Sequence, residues 1–286
     1  MRGLLHFTLL MFSTFCLGLH LLAADLAQVS VRSEAMHADF KAGVLLPRAY
    51  QTEPEKRFPV VYVLDGYSGN GTRLLDEFYK NVLSEKADAL NLILVAVGCV
   101  NKWYFDSPVD SSVRWQTFLL RELIPHVDSH YRTVAERKGR AITGLSMGGH
   151  GAFYTAFRNP GMFAAAASTS GGVDIRPFPE KWDIAKVLGT SSKEKVSQNW
   201  EENTVVNNIQ NLREAGLAVY FDCGTSDFFL KVNRELHLKL EEKGIAHVYA
   251  EFPGGHTVSY WGETFPRHLD FFAEVFSGAP RQGRIP

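Results

Sequence analysis

The stretch Gly139-Arg140-Ala141-Ile142-Thr143-Gly144-Leu145-Ser146-Met147-Gly148-Gly149 decides how the chain is read. Residues 139–143 make a short run suited to a strand. Residues 147–158 carry the apolar period of a helix, stopped by Asn159-Pro160. Between them stands G-x-S-x-G, with Gly144 and Gly148 on either side of Ser146. A bare G-x-S-x-G is common, but between a strand and a helix it reads as a nucleophile elbow. The turn is sharp enough to strain its central residue, and the flanking glycines let strand and helix approach closely. Ser146 is then expected at the carboxyl end of a sheet and at a helix N-terminus. Unsatisfied N–H groups there favour developing negative charge. A tight Gly-rich turn with a capping serine is the competing reading, and the strand–turn–helix context disfavours it.

Working outward, hydrophobic periodicity gives an order of elements. Residues 29–36 and 37–46 alternate as two strands of a hairpin at one sheet edge. Residues 59–64 and 92–97 are continuous apolar runs, as buried parallel strands should be. Further strands are expected at 163–168, 217–222 and 246–252. Helices are expected at 74–83, at 115–131 with an interruption at Pro125, at 203–215 closed by Gly216, at 227–243 closed by Gly244, and at 264–276. Strands alternating with helices imply an α/β fold, a mainly parallel central sheet flanked by helices on both faces. The stretch 171–200 lacks a clear period and reads as a small insertion over the sheet's edge, with a lid role left open.

A serine hydroxyl is a weak nucleophile and needs a base. After an elbow of this kind the order along the chain is serine, acid, histidine. The segment 219–227 offers two acids, Asp222 at a strand's last position and Asp227 in the loop beyond. A loop acid can reach across to a histidine, so Asp227 is preferred, although it could equally cap the following helix. Asp222 is expected to hold local backbone. Phe252-Pro253-Gly254-Gly255-His256 follows the last strand and supplies the candidate base, His256. His150, His237, His247 and His268 lie on predicted helices or a strand and are less suited. The oxyanion donors are expected to be the backbone N–H groups of Met147 and of Tyr67, the latter in the loop Asp65-Gly66-Tyr67. A plain turn is the alternative for that loop.

Composition limits the function classes. With 45% hydrophobic and 21% charged residues, the chain of 286 residues is neither disordered nor collagen-like. A formal charge of −1 gives no basic footprint for nucleic acid. Arg2, an apolar run to Ala24 and the small pair Ala23-Ala24 read as a secretory signal peptide over residues 1–24, with an uncleaved anchor as the alternative. The expected location is therefore secreted or periplasmic, with no stable membrane insertion of the mature chain. Residues 25–286 are expected to form one domain with a frayed tail at 277–286. Beyond the leader, Cys99 and Cys223 read as two free buried thiols. No pattern for a metal, a nucleotide or any other cofactor is present, and the oligomeric state is open.

Together, the stretches 60–66, 141–153, 222–227 and 252–261 resemble the esterase D family of α/β-hydrolases. That family includes S-formylglutathione hydrolases, feruloyl and acetyl xylan esterases, and the antigen 85 mycolyltransferases. The resemblance runs from about residue 29 to 276, nearly the whole mature chain. It implies an α/β-hydrolase fold and a serine carboxylesterase with the triad Ser146, Asp227 and His256. Small-molecule or saccharide esters with short acyl or hydroxycinnamoyl groups are the implied substrates. An acyltransferase using the same acyl-enzyme is the second reading, and a catalytically idle binding module is the third. Many members carry His-Gly where this chain has Asp65-Gly66, which puts substrate choice in doubt. Tyr67, Trp103, Tyr104 and Trp261, with Trp115 and Tyr260 nearby, are expected to form a platform for a sugar or phenolic ring, with ordinary packing as the alternative.

Overall fold

A computed structural model describes residues 24–210 and 212–278. Residues 1–23 of the expected leader over 1–24 and residues 279–286 of the expected frayed tail lie outside the described residues. Eight strands form one sheet in the order β1-β2-β4-β3-β5-β6-β7-β8. They are β1 Asp25–Ser33, β2 Ala38–Leu46, β3 Val60–Leu64, β4 Ile93–Val97, β5 Arg140–Gly144, β6 Ala165–Thr169, β7 Ala218–Gly224 and β8 Val248–Phe252. β1 and β2 form the edge hairpin, β2 runs antiparallel to β4, and β3 to β8 are parallel to one another. The parallel block is buried on both faces. In β3, Val60, Tyr62 and Leu64 share one core with Phe153 and Phe157. Val61 and Val63 share the other core with Leu83, Phe265, Leu269 and Phe272. That two-sided burial is why β3 is apolar throughout rather than alternating.

Register brings the strand ends level. Leu64 pairs with Val97 on one side and Gly144 on the other. Thr169 pairs with Asp222. The loops after β3, β5, β6, β7 and β8 therefore open on the same end of the sheet, where ligands bind in open parallel sheets.

Several elements differ from expectation for identifiable reasons. The expected helix 74–83 is a wide π-helical turn, Leu74–Phe78, followed by α1, Lys80–Leu90. Residues 115–130 form one continuous helical run, α2, rather than a helix broken at Pro125. Its central part, Phe118–Leu123, widens to π geometry just before the proline, which has no N–H to donate. The helix after the elbow is α3, Met147–Arg158, as expected. The expected helix 203–215 is instead a short helix, Gln198–Asn203, a single turn, Val205–Asn207, and a fragment, Leu212–Ala215. Asparagine side chains break it up. Asn207 Nδ2 donates to the Glu201 carbonyl at 3.0 Å, and Asn208 Nδ2 to the Thr204 carbonyl at 2.7 Å, in competition with helical bonding.

After a short helix at Ile184–Leu188, labelled α4, and the Gln198–Asn203 helix, α5, come α6, Leu230–Glu242, and α7, Val258–Ser277. The last helix starts earlier than its period suggests. Thr257 caps it, accepting the Tyr260 N–H at 3.3 Å, and Pro266 lies inside it rather than at its start. The insertion 171–200 also differs from expectation. It leaves β6, an interior strand, and so lies over the open end of the sheet rather than its edge.

Candidate active site

Ser146 follows β5 with φ 55° and ψ −118°, and its backbone leads directly into α3. This left-handed region is costly for a residue with a side chain, and such strain is kept only where the surroundings fix it. They do so here. The Ser146 N–H donates to the Thr169 carbonyl at 3.1 Å, and its carbonyl accepts the N–H groups of His150 and Gly172. Gly148 packs so closely under the turn that a Cβ there would run into the Leu64 carbonyl oxygen.

His256 Nε2 lies 2.8 Å from Ser146 Oγ, and His256 Nδ1 lies 2.9 Å from Asp227 Oδ2. A carboxylate only accepts, so Nδ1 carries the proton, and Nε2 is left to accept from the serine hydroxyl. The Asp227 side chain is fully buried and that of His256 is 15% exposed. Asp227 does not cap the following helix, whose N-cap is Phe229. Oδ1 accepts the Phe229 N–H at 2.8 Å while Oδ2 faces the imidazole. This local bond explains why α6 starts at Leu230 and not at Asp227. The loops that carry the acid and the histidine are tied together, with the Ser226 N–H donating to the Gly254 carbonyl at 2.8 Å. Gly254 has φ 141° and lies against the Tyr260 ring, a place and a conformation that a side chain would not fit.

Asp222 does not hold local backbone with its carboxylate, as expected, but organises a second network beneath the first. Its Oδ2 accepts from His268 Nε2 at 2.7 Å; its Oδ1 accepts from Thr169 Oγ1 at 2.7 Å and from the Tyr260 hydroxyl at 2.8 Å. His268 Nδ1 completes its bonding with Thr143 Oγ1 at 2.7 Å. All five residues are buried. No sequence signal marks this network, because its members come from β5, β6, β7 and α7.

The loop after β3 lies beside the serine. A Cβ on Gly66 would stand 3.6 Å from Ser146 Cβ. Asp65 is completely buried, and its carboxylate is bound by Arg73 Nε and Nη2 at 2.8 and 2.9 Å and by the N–H groups of Gly66 and Gly71. The Asp65-Gly66 pair is therefore more than a plain turn: its carboxylate is the centre on which the loop folds. Among the described residues, neither the N–H of Met147 nor that of Tyr67 has an acceptor in the chain.

The expected aromatic platform is corrected. Trp103 and Tyr104 are buried, as are Trp115 and Tyr260, and none of them offers a surface to a ring. They act as supports. The Trp103 indole N–H donates to the Trp182 carbonyl at 2.9 Å, and the Tyr104 hydroxyl to the Asp65 carbonyl at 2.8 Å. The aromatic faces around His256 belong to other residues. Phe228 lies 4.2 Å from the imidazole, centroid to centroid, and Trp261 meets it edge-on at 4.8 Å. Trp182 stacks on Phe228 at 5.6 Å. Phe228 is 52% exposed, unusual for a phenylalanine. Tyr67 and Trp261 are half-buried.

Cys99 and Cys223 are free and buried, and burial pushes the Cys99 thiol up to about 12. Among the described residues, no group of three or more His, Cys, Asp or Glu side chains is gathered to hold a metal, and no helix is long and apolar enough to cross a membrane.

Comparisons with known proteins agree with this architecture. A Mycobacterium tuberculosis protein named an esterase is 30% identical over 248 residues, 74% of this chain and 51% of that protein. The chain thus spans about half the length of that curated relative. An acetyl esterase of Caldicellulosiruptor saccharolyticus is 24% identical over 243 residues, 78% of this chain and 90% of that protein. A solved ferulic acid esterase superposes with a TM-score of 0.75 at 24% identity, covering 89% of this chain and 100% of its own. A fluorophosphonate-binding serine hydrolase of Staphylococcus aureus superposes at 0.77 with 17% identity, covering 88% of this chain and 99% of its own. These structures share the α/β-hydrolase fold. The family model described as "Putative esterase" matches residues 33–272, and the chain belongs to that esterase family.

Proposed function

We propose that the protein is an exported serine carboxylesterase acting on short acyl or hydroxycinnamoyl esters, on saccharides among other alcohols. The observation that carries this reading is the hydrogen-bonded line Ser146–His256–Asp227 at a strained strand–helix turn. In this reading Ser146 Oγ attacks the acyl carbon, and its proton passes to His256 Nε2. Asp227 holds the imidazole in the required tautomer and stabilises its cation. The negative charge on the carbonyl oxygen is met by the N–H groups of Met147 and Tyr67, preorganised and free of competing acceptors. The imidazolium then protonates the departing alcohol. Water, deprotonated by the same histidine, releases the acid and restores the serine.

The choice of acyl group draws on the aromatic faces of Phe228, Trp182 and Trp261 beside His256. Flat, half-exposed rings suit an aryl or sugar ring, which stacks on them with little loss of freedom. Relatives and neighbours named acetyl esterase and ferulic acid esterase support the same choice. Export rests on residues 1–24, read as a signal peptide, with residues 25–286 as the single mature domain.

The test is covalent labelling. A fluorophosphonate should add its mass to the peptide containing Ser146, and prior incubation with a slowly hydrolysed ester should block it. Labelling on any other residue, or none on folded protein, would remove Ser146 from its role.

A further inference from the structure

The hydroxyl of Tyr67 is clasped by the insertion. It donates to Asp183 Oδ2 at 2.7 Å, and Asn101 Nδ2 donates to the same oxygen at 3.1 Å. Asn101 Oδ1 in turn accepts the N–H of Ser68 at 3.0 Å. One carboxylate thus joins the loops after β3, β4 and β6, and Tyr67 directly follows Gly66, which lies beside Ser146. On its other side, Arg73 Nη2 reaches the Tyr67 carbonyl at 3.5 Å from its seat on Asp65. The residue is held at both its carbonyl and its phenol.

The backbone shows that this arrangement is forced. Among the described residues, ten non-glycine residues have positive φ. His37 lies in the β1–β2 turn and Asn91 ends α1. The other eight lie at the open end of the sheet, among them Ser68, Val100, Trp182 and Asp183 at φ 61°, 56°, 51° and 58°. Two consecutive left-handed residues, Trp182-Asp183, persist only where the surroundings over-determine them. The Trp103 indole on the Trp182 carbonyl and the phenol–carboxylate bond on Asp183 supply that constraint.

We infer that Asp183 is a positioning residue: by binding the Tyr67 phenol it fixes the Tyr67 peptide, and with it the second oxyanion donor. The inference rests on the serine-esterase reading above. The bond to Asp183 also raises the phenol's pKa. An oxyanion donor acts by being in place before the charge develops, so a displaced N–H weakens the transition state and leaves substrate binding largely alone. The 171–200 segment is thereby assigned a catalytic support role in addition to any covering one.

The test is steady-state hydrolysis of p-nitrophenyl acetate by Tyr67→Phe, Asp183→Ala, Asp183→Asn and the double variant Tyr67→Phe/Asp183→Ala, with Ser146→Ala alongside. Tyr67→Phe keeps the ring and the backbone N–H and loses only the clasp, so it reads the proposal even if Asp183→Ala folds poorly. Its kcat should fall about tenfold with KM within about twofold of wild type. Asp183→Ala should match it, the double variant should be no worse than either single one, and Asp183→Asn, which keeps an acceptor, should recover most of the kcat. Unchanged kcat in Tyr67→Phe, a loss confined to KM, or additive losses in the double variant would overturn the clasp. If Ser146→Ala alone is inactive, that failure leaves the serine mechanism standing. Turnover surviving in Ser146→Ala would overturn both.

Discussion

Asp222, inside β7, and Asp227, in the loop that follows it, face different histidines: His268 at 2.7 Å and His256 at 2.9 Å. The first pair is wholly buried and joins four secondary-structure elements. The second reaches the half-exposed serine. Asp222 therefore holds the sheet end together, while in the proposed mechanism Asp227 is the carboxylate that orients the base. Asp227→Asn should lower kcat by about 10⁴-fold while leaving the thermal midpoint near wild type, because the amide favours the wrong imidazole tautomer. Asp222→Asn should instead destabilise by about 1–3 kcal/mol, since a buried network loses an acceptor pattern, with a far smaller loss of kcat. Urea unfolding and steady-state kinetics on the same two proteins read both quantities, and the reverse ranking of kcat would move the acid to Asp222.

Arg73 neutralises a buried carboxylate. With Asp65 at 0% exposure and its guanidinium partner only 22% exposed, Arg73→Ala leaves a charge without its counter-ion. The expected cost is about 3 kcal/mol or more, the range for breaking a buried pair by removing one partner. A change below about 1 kcal/mol in urea unfolding would show that the Gly66 and Gly71 N–H groups suffice to hold Asp65.

His150 makes the fold acid-sensitive. It is fully buried against Trp103, Phe105 and Tyr154, and burial lowers its pKa to about 3. Unfolded, it titrates near about 6.5. Below that pH the unfolded chain takes up a proton that the folded one refuses. The stability associated with the neutral ring is therefore complete above about pH 6.5 and is lost as pH falls toward about 3, with a slope of about 1.4 kcal/mol per pH unit. His150→Phe should flatten the pH dependence of urea stability between pH 6.5 and 4.5 relative to wild type. Equal slopes in the two proteins would remove His150 as the cause.

Phe228 is the exposed ring closest to the base. Phe228→Ala should lower kcat/KM for a feruloyl ester about tenfold more than for an acetyl ester, in line with the energy of one aromatic stack. Equal losses on both esters would assign Phe228 to support of His256 and not to selection of the acyl group.

What the sequence makes legible is what local pattern encodes. The elbow glycines, the two-sided apolar strands and the caps at Gly216 and Gly244 are short-range signals, and the parallel sheet and its order of elements follow from them. Four features escape such reading. The clasp of Tyr67 by Asp183 spans 116 residues, and Asp222 meets His268 across 46. Neither has a period or a spacing rule to announce it. Trp103 and Tyr104 look like surface aromatics because they stand in a loop. Trp103 is buried because the insertion 171–200, which has no period of its own, packs over it through Trp182, and Tyr104 because it lies between Trp115 and Gly151 with its hydroxyl on the Asp65 and Val97 carbonyls. The break of the expected helix 203–215 comes from asparagine side chains whose partners are visible only once the chain is folded.

The most direct measurement is hydrolysis of p-nitrophenyl acetate by the protein, wild type beside Ser146→Ala, with both proteins shown to be folded by their thermal midpoints. The account expects turnover in the wild type and its loss, by several orders of magnitude, in the alanine variant. Equal turnover in the two proteins, or none in well-folded wild type, would contradict it.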